Sequence, residues 1–388
     1  MKSYLAQHVA TLPPSGIRKF FDLVATMDDV ISLGIGEPDF VTPWTIRESG
    51  IYSLEKGLTM YTSNSGLFEL REELARMLWQ SNSTLYDPRE EILITVGASE
   101  AVDLAMRAVL SPGDAVMIPD PAYVSYGPCA VMAGAEVHYV PTWEKWDFRL
   151  QVEDLEKAYT PNTKLLVLSY PNNPTGAVMH KEDLLAIADF VEKYDLLVLA
   201  DEIYSDLTYS GAHTAFASLP GMKDRTFHIS GFSKAYAMTG WRIGYVAGHK
   251  DLIQGLTRIH QYTILCASIT AQRGALDALR SANHDRDDMV STYDQRRRIM
   301  VHGFRQMGLS CFEPLGAFYV FPNISATGLS SEVFAEQLLQ EEKVAVVPGN
   351  AFGPCGEGHI RCSYAYSTEQ IQEALERISR FVARHIQK

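Results

Sequence analysis

The chain has 388 residues, 46% of them hydrophobic and 21% charged, with a formal net charge of −13. That length exceeds one ordinary core and suits two or three domain-sized units, and no low-complexity stretch signals disorder. The acidic balance, with no dense Lys/Arg patch, argues against nucleic acid as a partner, because phosphate neutralisation needs a basic surface.

In chain order, Met1 to Thr11 has no long apolar core behind a basic start, which predicts no signal peptide. No run of about 18 or more apolar residues follows, which predicts no membrane span. Short apolar, β-rich runs then recur at Ile92–Val96, Ala115–Ile118, Val137–Val140, Leu165–Ser169, Leu197–Ala200, Thr226–Ile229 and Ile243–Ala247. Helical patterns such as Ser99–Leu110 and Lys181–Tyr194 lie between several of them. Near-continuous apolar strands separated by helices predict a mostly parallel seven-stranded sheet covered on both faces, an α/β fold.

Beyond it the pattern changes. Asp285–Met307 reads as a long charged amphipathic helix, Gly316–Pro322 and Val344–Val347 as strands, and Glu369–Gln387 as a closing helix. Within that first helix, Arg296, Arg297 and Arg298 read as a solvated face. The predicted division is 1–45 as an N-terminal arm and part of a small domain, 46–284 as the large domain, and 285–388 as a smaller α+β domain. The five cysteines (Cys129, Cys266, Cys311, Cys355 and Cys362) are scattered without a CxxC pair, and no His cluster has metal-ligand spacing. No disulfide framework and no metal site are expected, which suits a reducing cytoplasm.

Ligands of such sheets collect beyond the carboxyl ends of the strands. Asp201 ends one predicted strand; Ser230-Gly231-Phe232-Ser233-Lys234 follows the next, and Arg242 precedes the last. Singly, each has a plain structural reading: a helix cap or ion pair for Asp201, a solvated side chain for Lys234. Together they supply an amine, a carboxylate and a phosphate-binding cation, the set that pyridoxal-phosphate chemistry requires. A nearby cation also helps a buried lysine lose its proton.

The segment Ser230-Gly231-Phe232-Ser233-Lys234-Ala235-Tyr236-Ala237-Met238-Thr239-Gly240-Trp241-Arg242-Ile243-Gly244 resembles the pyridoxal-phosphate attachment signature of class I/II, fold type I aminotransferases. Four further stretches resemble the family's motifs in the family's order: Leu33 to Phe40, Tyr61 to Gly66 with Leu70-Arg71, Tyr170 to Gly176, and His359 to Ser363. The resemblance runs from about residue 15 to the C-terminus. It implies a fold type I pyridoxal-phosphate transferase with pyridoxal 5′-phosphate as cofactor.

The resemblance also implies roles. Lys234 carries the cofactor as a Schiff base and shuttles the proton, Asp201 pairs with the pyridine nitrogen, and Tyr204 and Asn173 meet the 3′-oxygen. Tyr123 stacks on the ring. Ala98, Ser99 and Glu100, at a strand-to-helix turn, meet the phosphate with Ser233 and Arg242, and Tyr61 reaches it from a second subunit of a homodimer with shared sites. Glu100 is odd beside an anion and must turn its carboxylate away or contribute only its backbone N–H. The family often has Ser or Thr where this chain has Gly231; Ser230 is the one alternative. Arg361 grips the substrate α-carboxylate in fork geometry, assisted by Gly36 and Asn173.

Transamination between an L-amino acid and a 2-oxo acid such as 2-oxoglutarate leads, with a carbon–sulfur β-lyase as the alternative on the same fold. A nicotinamide dehydrogenase would need a GxGxxG after the first strand, and none is there. A pyridoxal-phosphate-sensing regulator would need a DNA-binding domain ahead of residue 33. For substrate, the likeness is to the broad aromatic, aspartate and N-acetyl-diaminopimelate branch. Ser15-Gly16 differs from the Ser-Thr of several aspartate-reading members, and no second arginine can be assigned to the side-chain pocket, which puts aromatic donors slightly ahead. Arg18, near the family's mobile entrance segment, is the candidate reader of a second carboxylate.

Overall fold

A computed structural model describes residues 4–10, 12, 27 and 29–386. The seven predicted strands form one sheet: β2 (Ile92–Thr95), β3 (Ala115–Asp120), β4 (Glu136–Pro141), β5 (Thr163–Ser169), β6 (Leu197–Asp201), β7 (Thr226–Gly231) and β8 (Gly244–Ala247). Their order is β2-β8-β7-β6-β5-β3-β4, with only the β8 pairings antiparallel. Side chains alternate between faces along a strand. Accordingly Leu165, Val167, Leu199, Phe227 and Ile229 join one core, whereas Leu166, Leu168, Val198 and Ala200 join another on the opposite face.

Helices cover both faces. Gly97–Val109 and Lys250–Thr263 contribute Ala101, Leu104, Ile253 and Leu256 to the first core; Lys181–Lys193 contributes Leu184, Ile187 and Val191 to the second. A third core lies at the β2/β8 edge, where Phe68–Asn82 and Ile269–Ser281 supply Leu70, Leu74, Ala271 and Ala275. Both faces of the inner strands are thus dry, which is why those strands read as unbroken apolar runs, whereas the edge strand β4 is partly exposed.

The C-terminal hundred residues build a separate core together with β1 (Ile31–Ser32). Strands β9 (Tyr319–Val320), β12 (Ile360–Ser363) and β11 (Val347–Pro348) form a small antiparallel sheet, and β1 pairs in parallel with β10 (Val344–Ala345). The closing helix Thr368–His385 buries Ile371, Ala374, Leu375, Ile378, Phe381 and Val382, a stripe of helical period, and Ser367 caps it by accepting from Gln370 N at 3.2 Å.

Three expectations need correction. The Gly316–Pro322 strand shrinks to two paired residues, and Val344–Val347 divides at Val346 because its two halves pair with different sheets. Arg296 and Arg297 are buried rather than solvated: Arg296 binds Asp39 at 2.8 Å, and Arg297 binds Asp294 at 2.7 Å and Glu313 at 2.8 Å. Their partners include a residue 257 positions away, so local sequence gave no warning. Arg298 alone is exposed. Among the described residues no helix is long and apolar enough to cross a membrane, no His/Cys/Asp/Glu group could hold a metal, and all five cysteines are free.

Candidate active site

The carboxyl ends of the parallel strands open into a cavity of about 680 Å³. Ser169 and Asp201 are register partners on β5 and β6, so two strand ends present polar atoms side by side. The cavity is lined by Lys234, Asp201, Tyr204, Asn173, Tyr123 and Ser233, by Ala98, Ser99 and Arg242 at one end, and by Gly36 and Arg361 at the other. Two predicted contacts, Glu100 and Tyr61, do not line it.

Lys234 Nζ donates to the Gly36 carbonyl at 2.6 Å. Burial pushes its basicity down to about 8; Arg361 and Arg242 push the same way, against Glu37 and Asp201. An amine in that range is partly neutral near pH 8, the form that attacks a carbonyl. Asp201, buried, is pushed the other way by its burial, up to about 6, while hydrogen bonds from Tyr126 and Ile203 N oppose the rise. A cationic ligand there would restore the ionised form. Burial, and then Tyr319, keep the Tyr204 hydroxyl protonated well above its ordinary range.

At the first end, the helix Gly97–Val109 starts directly after β2, with Gly97 at φ 75°. A Cβ on Gly97 would lie 2.6 Å from Arg242 Nη2, so glycine lets the guanidinium reach the helix N-terminus. Arg242 is exposed and donates to Thr239 O at 3.0 Å. Glu100 turns away from this end: its carboxylate accepts from Val96 N at 2.5 Å and meets His260 Nδ1 at 2.7 Å. Only its backbone remains for an anion. Gly231 opposes Gly244 across β7 and β8, where a Cβ would lie 3.0 Å from the Gly244 Cα. Packing is tight against any side chain at that position, and Ser230 donates instead to Glu202 O at 3.2 Å, outside the lining.

At the second end Arg361 is 3% exposed. It donates from Nη1 to Asn173 Oδ1 at 2.8 Å and from Nη2 to Gly34 O at 2.6 Å, while Nε is buried without a partner. Its guanidinium sits 4.5 Å from the Tyr319 ring and 4.7 Å from the Phe352 ring. Among the described residues no carboxylate pairs with it, so a buried cation faces the cavity with room for an anion.

Among the lining residues that sequence reasoning missed are Tyr126, Ser169 and Tyr319. Tyr126 binds Asp201, Ser169 binds Tyr126, and the Tyr319 hydroxyl lies 2.9 Å from that of Tyr204. Nothing local separates these hydroxyls from ordinary core tyrosines and serines. Thr239 donates to Glu37 at 2.8 Å, tying the N-terminal loop to the turn before Arg242. Ser15, Gly16 and Arg18 lie outside the described residues.

The donor set fits pyridoxal phosphate. A helix N-terminus and an arginine face one end, an amine and a buried carboxylate face the middle, and a guanidinium without a carboxylate partner lines the other.

The family model described as aminotransferase class I and II matches residues 28–378. An aspartate aminotransferase of Pyrococcus abyssi is 46% identical over 370 residues, 95% of each chain. Aromatic-amino-acid aminotransferase 2 of Thermococcus litoralis is 43% identical over 379 residues, 97% of each chain. A solved aromatic aminotransferase from Pyrococcus horikoshii OT3 matches with a TM-score of 0.91 at 44% identity, covering 95% of this chain and 99% of that one.

Proposed function

This chain belongs to the aminotransferase class I and II family and is an aminotransferase, and on that premise we propose how it works and on what. Pyridoxal 5′-phosphate would occupy the cavity. The observation that carries this reading is the convergence there of a lysine of lowered basicity, a buried carboxylate and two arginines. Bound, the cofactor supplies an electron sink that lets the substrate's α-hydrogen leave as a proton.

Lys234 would hold the cofactor through its amine and would move the proton at the substrate's α-carbon. Asp201 would keep the ring nitrogen protonated, Tyr204 and Asn173 would hold the 3′-oxygen, and Tyr123 would cover the ring face. Ala98, Ser99, Ser233 and Arg242 bind the phosphate, with Glu100 limited to its backbone N–H. Arg361, Gly36 and Asn173 orient the α-carboxylate.

Tyr61 is 81% exposed, which suits a side chain that enters the cavity of a second copy. Val41 (71%), Met60 (77%) and Tyr262 (86%) are similarly exposed. We therefore read the enzyme as a homodimer with shared sites, cytoplasmic, and divided at about residues 45 and 284.

Aromatic amino acids are proposed as better donors than aspartate, with 2-oxoglutarate as acceptor. The relatives carry both specificities in their names. What favours the aromatic reading is the lining itself: among the described residues its arginines are Arg242 and Arg361, both assigned, and a second substrate carboxylate would lack a guanidinium partner. An aromatic side chain needs only apolar area, at about 25 cal/mol per Å².

A panel of amino donors against 2-oxoglutarate tests this. A kcat/KM ratio of phenylalanine over aspartate above one is expected, and a ratio well below one reverses the assignment. If Arg18→Ala then raises that ratio, Arg18 is the dicarboxylate reader. Borohydride reduction of the yellow holoenzyme is expected to label the peptide containing Lys234.

A further inference from the structure

Asp201 does not stand alone at the end of β6. Tyr126, on the helix Tyr126–Met132, is 1% exposed, and its hydroxyl lies 2.8 Å from Asp201 Oδ2 and 2.8 Å from Ser169 Oγ. A tyrosine hydroxyl has one proton, and an ionised carboxylate can only accept. With Asp201 ionised, the Tyr126 proton goes to Oδ2, and the tyrosine oxygen accepts in turn from the Ser169 hydroxyl. The other carboxylate oxygen, Oδ1, takes Ile203 N at 3.2 Å. Each oxygen of Asp201 is therefore held by one fixed donor and keeps acceptor capacity for a ligand.

We propose that Tyr126, backed by Ser169, is a positioning residue that keeps the Asp201 carboxylate ionised and aimed into the cavity, ready for a protonated ring nitrogen. Tyr126 suits the task because it cannot readily give up its own proton: burial first, then Asp201, raise its pKa well above the ordinary value. Opposing it are the burial of Asp201 and the neighbouring Glu202 on the same strand end; Lys234, following β7, acts in its favour. The Tyr126 ring also meets the Tyr123 ring edge-on at 5.6 Å, so one residue buttresses both the carboxylate and the predicted ring-stacking partner.

The proposal rests on the reading of the cavity as a cofactor site, and the test keeps the two apart. Full-length protein, freed of cofactor, is titrated with pyridoxal phosphate between pH 5 and 9, and separately with inorganic phosphate, which probes only the phosphate end. Tyr126→Phe keeps the ring and removes the hydroxyl. Expected are a loss of pyridoxal-phosphate affinity of roughly tenfold, as for a hydrogen bond to a charged group, an acid limb displaced to higher pH, and unchanged phosphate affinity. Ser169→Ala should move the acid limb the same way by less. An acid limb that stays at its wild-type position in both variants, whatever happens to overall affinity, leaves Tyr126 a packing residue and overturns the proposal. A wild-type protein that binds no pyridoxal phosphate overturns the cofactor reading as well.

Discussion

Arg242 and Arg361 stand at opposite ends of one cavity and are built in opposite ways. Arg242 sits in a short stretch that also supplies Ser233 and Lys234, and its neighbours on β2 and β7 are tied by the ladder that pairs Thr95 and Gly231 with Gly244. Arg361 is assembled from distance. Its partners Asn173 and Gly34 lie 188 and 327 positions away, and its ring contacts, Tyr319 and Phe352, come from two further segments. The first end is a property of one sheet, whereas the second exists only when the C-terminal core, the N-terminal segment and the large sheet are packed together. Arg242 is exposed and Arg361 buried, so the same side chain should be worth more at the second end, where screening is weak.

Between the ends stands Lys234, which both depend on. Lys234→Ala should have the largest effect, since the general-base share alone is roughly 10²–10⁴-fold in rate; single-turnover kinetics with excess cofactor measure it. A modest loss would move the proton transfer to another group. Asp201→Asn comes next: retained fold and bound cofactor, with turnover lower by orders of magnitude, each tenfold being about 1.4 kcal/mol of barrier. Wild-type turnover would reduce Asp201 to a structural role.

Arg361→Lys separates the two ends. A buried, hydrogen-bonded charge pair costs about 2–5 kcal/mol to break, so kcat/KM should fall roughly 30- to 5000-fold for every donor while cofactor affinity holds. Arg242→Lys should do the reverse, weakening cofactor affinity by about tenfold through loss of the guanidinium fork and leaving kcat/KM at saturating cofactor nearly intact. If each variant harmed both quantities equally, the ends would be a single unit and the comparison would fail.

The smallest expected effect is on stability. The folded state holds the Lys234 proton only to about pH 8, the unfolded chain to its ordinary, higher value. Between the two the unfolded chain binds more protons, so the cofactor-free protein gains stability as pH rises from about 8 toward the ordinary lysine range. Thermal unfolding across that window should show the rise in wild type and not in Lys234→Met. Arg361→Gln should narrow it more than Arg242→Gln, because Arg361 acts more strongly on Lys234.

Much of this was legible in the chain. The seven β-rich runs all became strands of one sheet, the six other than the partly exposed edge strand β4 because both faces are buried and the apolar signal is continuous. Lys234, Asp201 and Arg242 stood out because they follow or precede those strands. Tyr126, Ser169 and Tyr319 did not, since a hydroxyl that binds a carboxylate and one that merely sits in a core look alike in sequence. The arginine triplet misled for a related reason: a run of charge usually marks a solvated surface, and only Asp39, brought in from the N-terminal segment, draws Arg296 inside.

By itself the sequence determined what is local: the period-two and helical patterns that make the elements, the glycines that admit close approach, and the order of chemical types along the strand ends. Tertiary structure alone decided the protonation state of Asp201, the lowered basicity of Lys234 and the unpaired state of Arg361. Those depend on burial and on partners up to 327 positions away. Desolvation and Coulombic interaction act through space, at distances of a few ångströms that the order of residues along a chain does not encode.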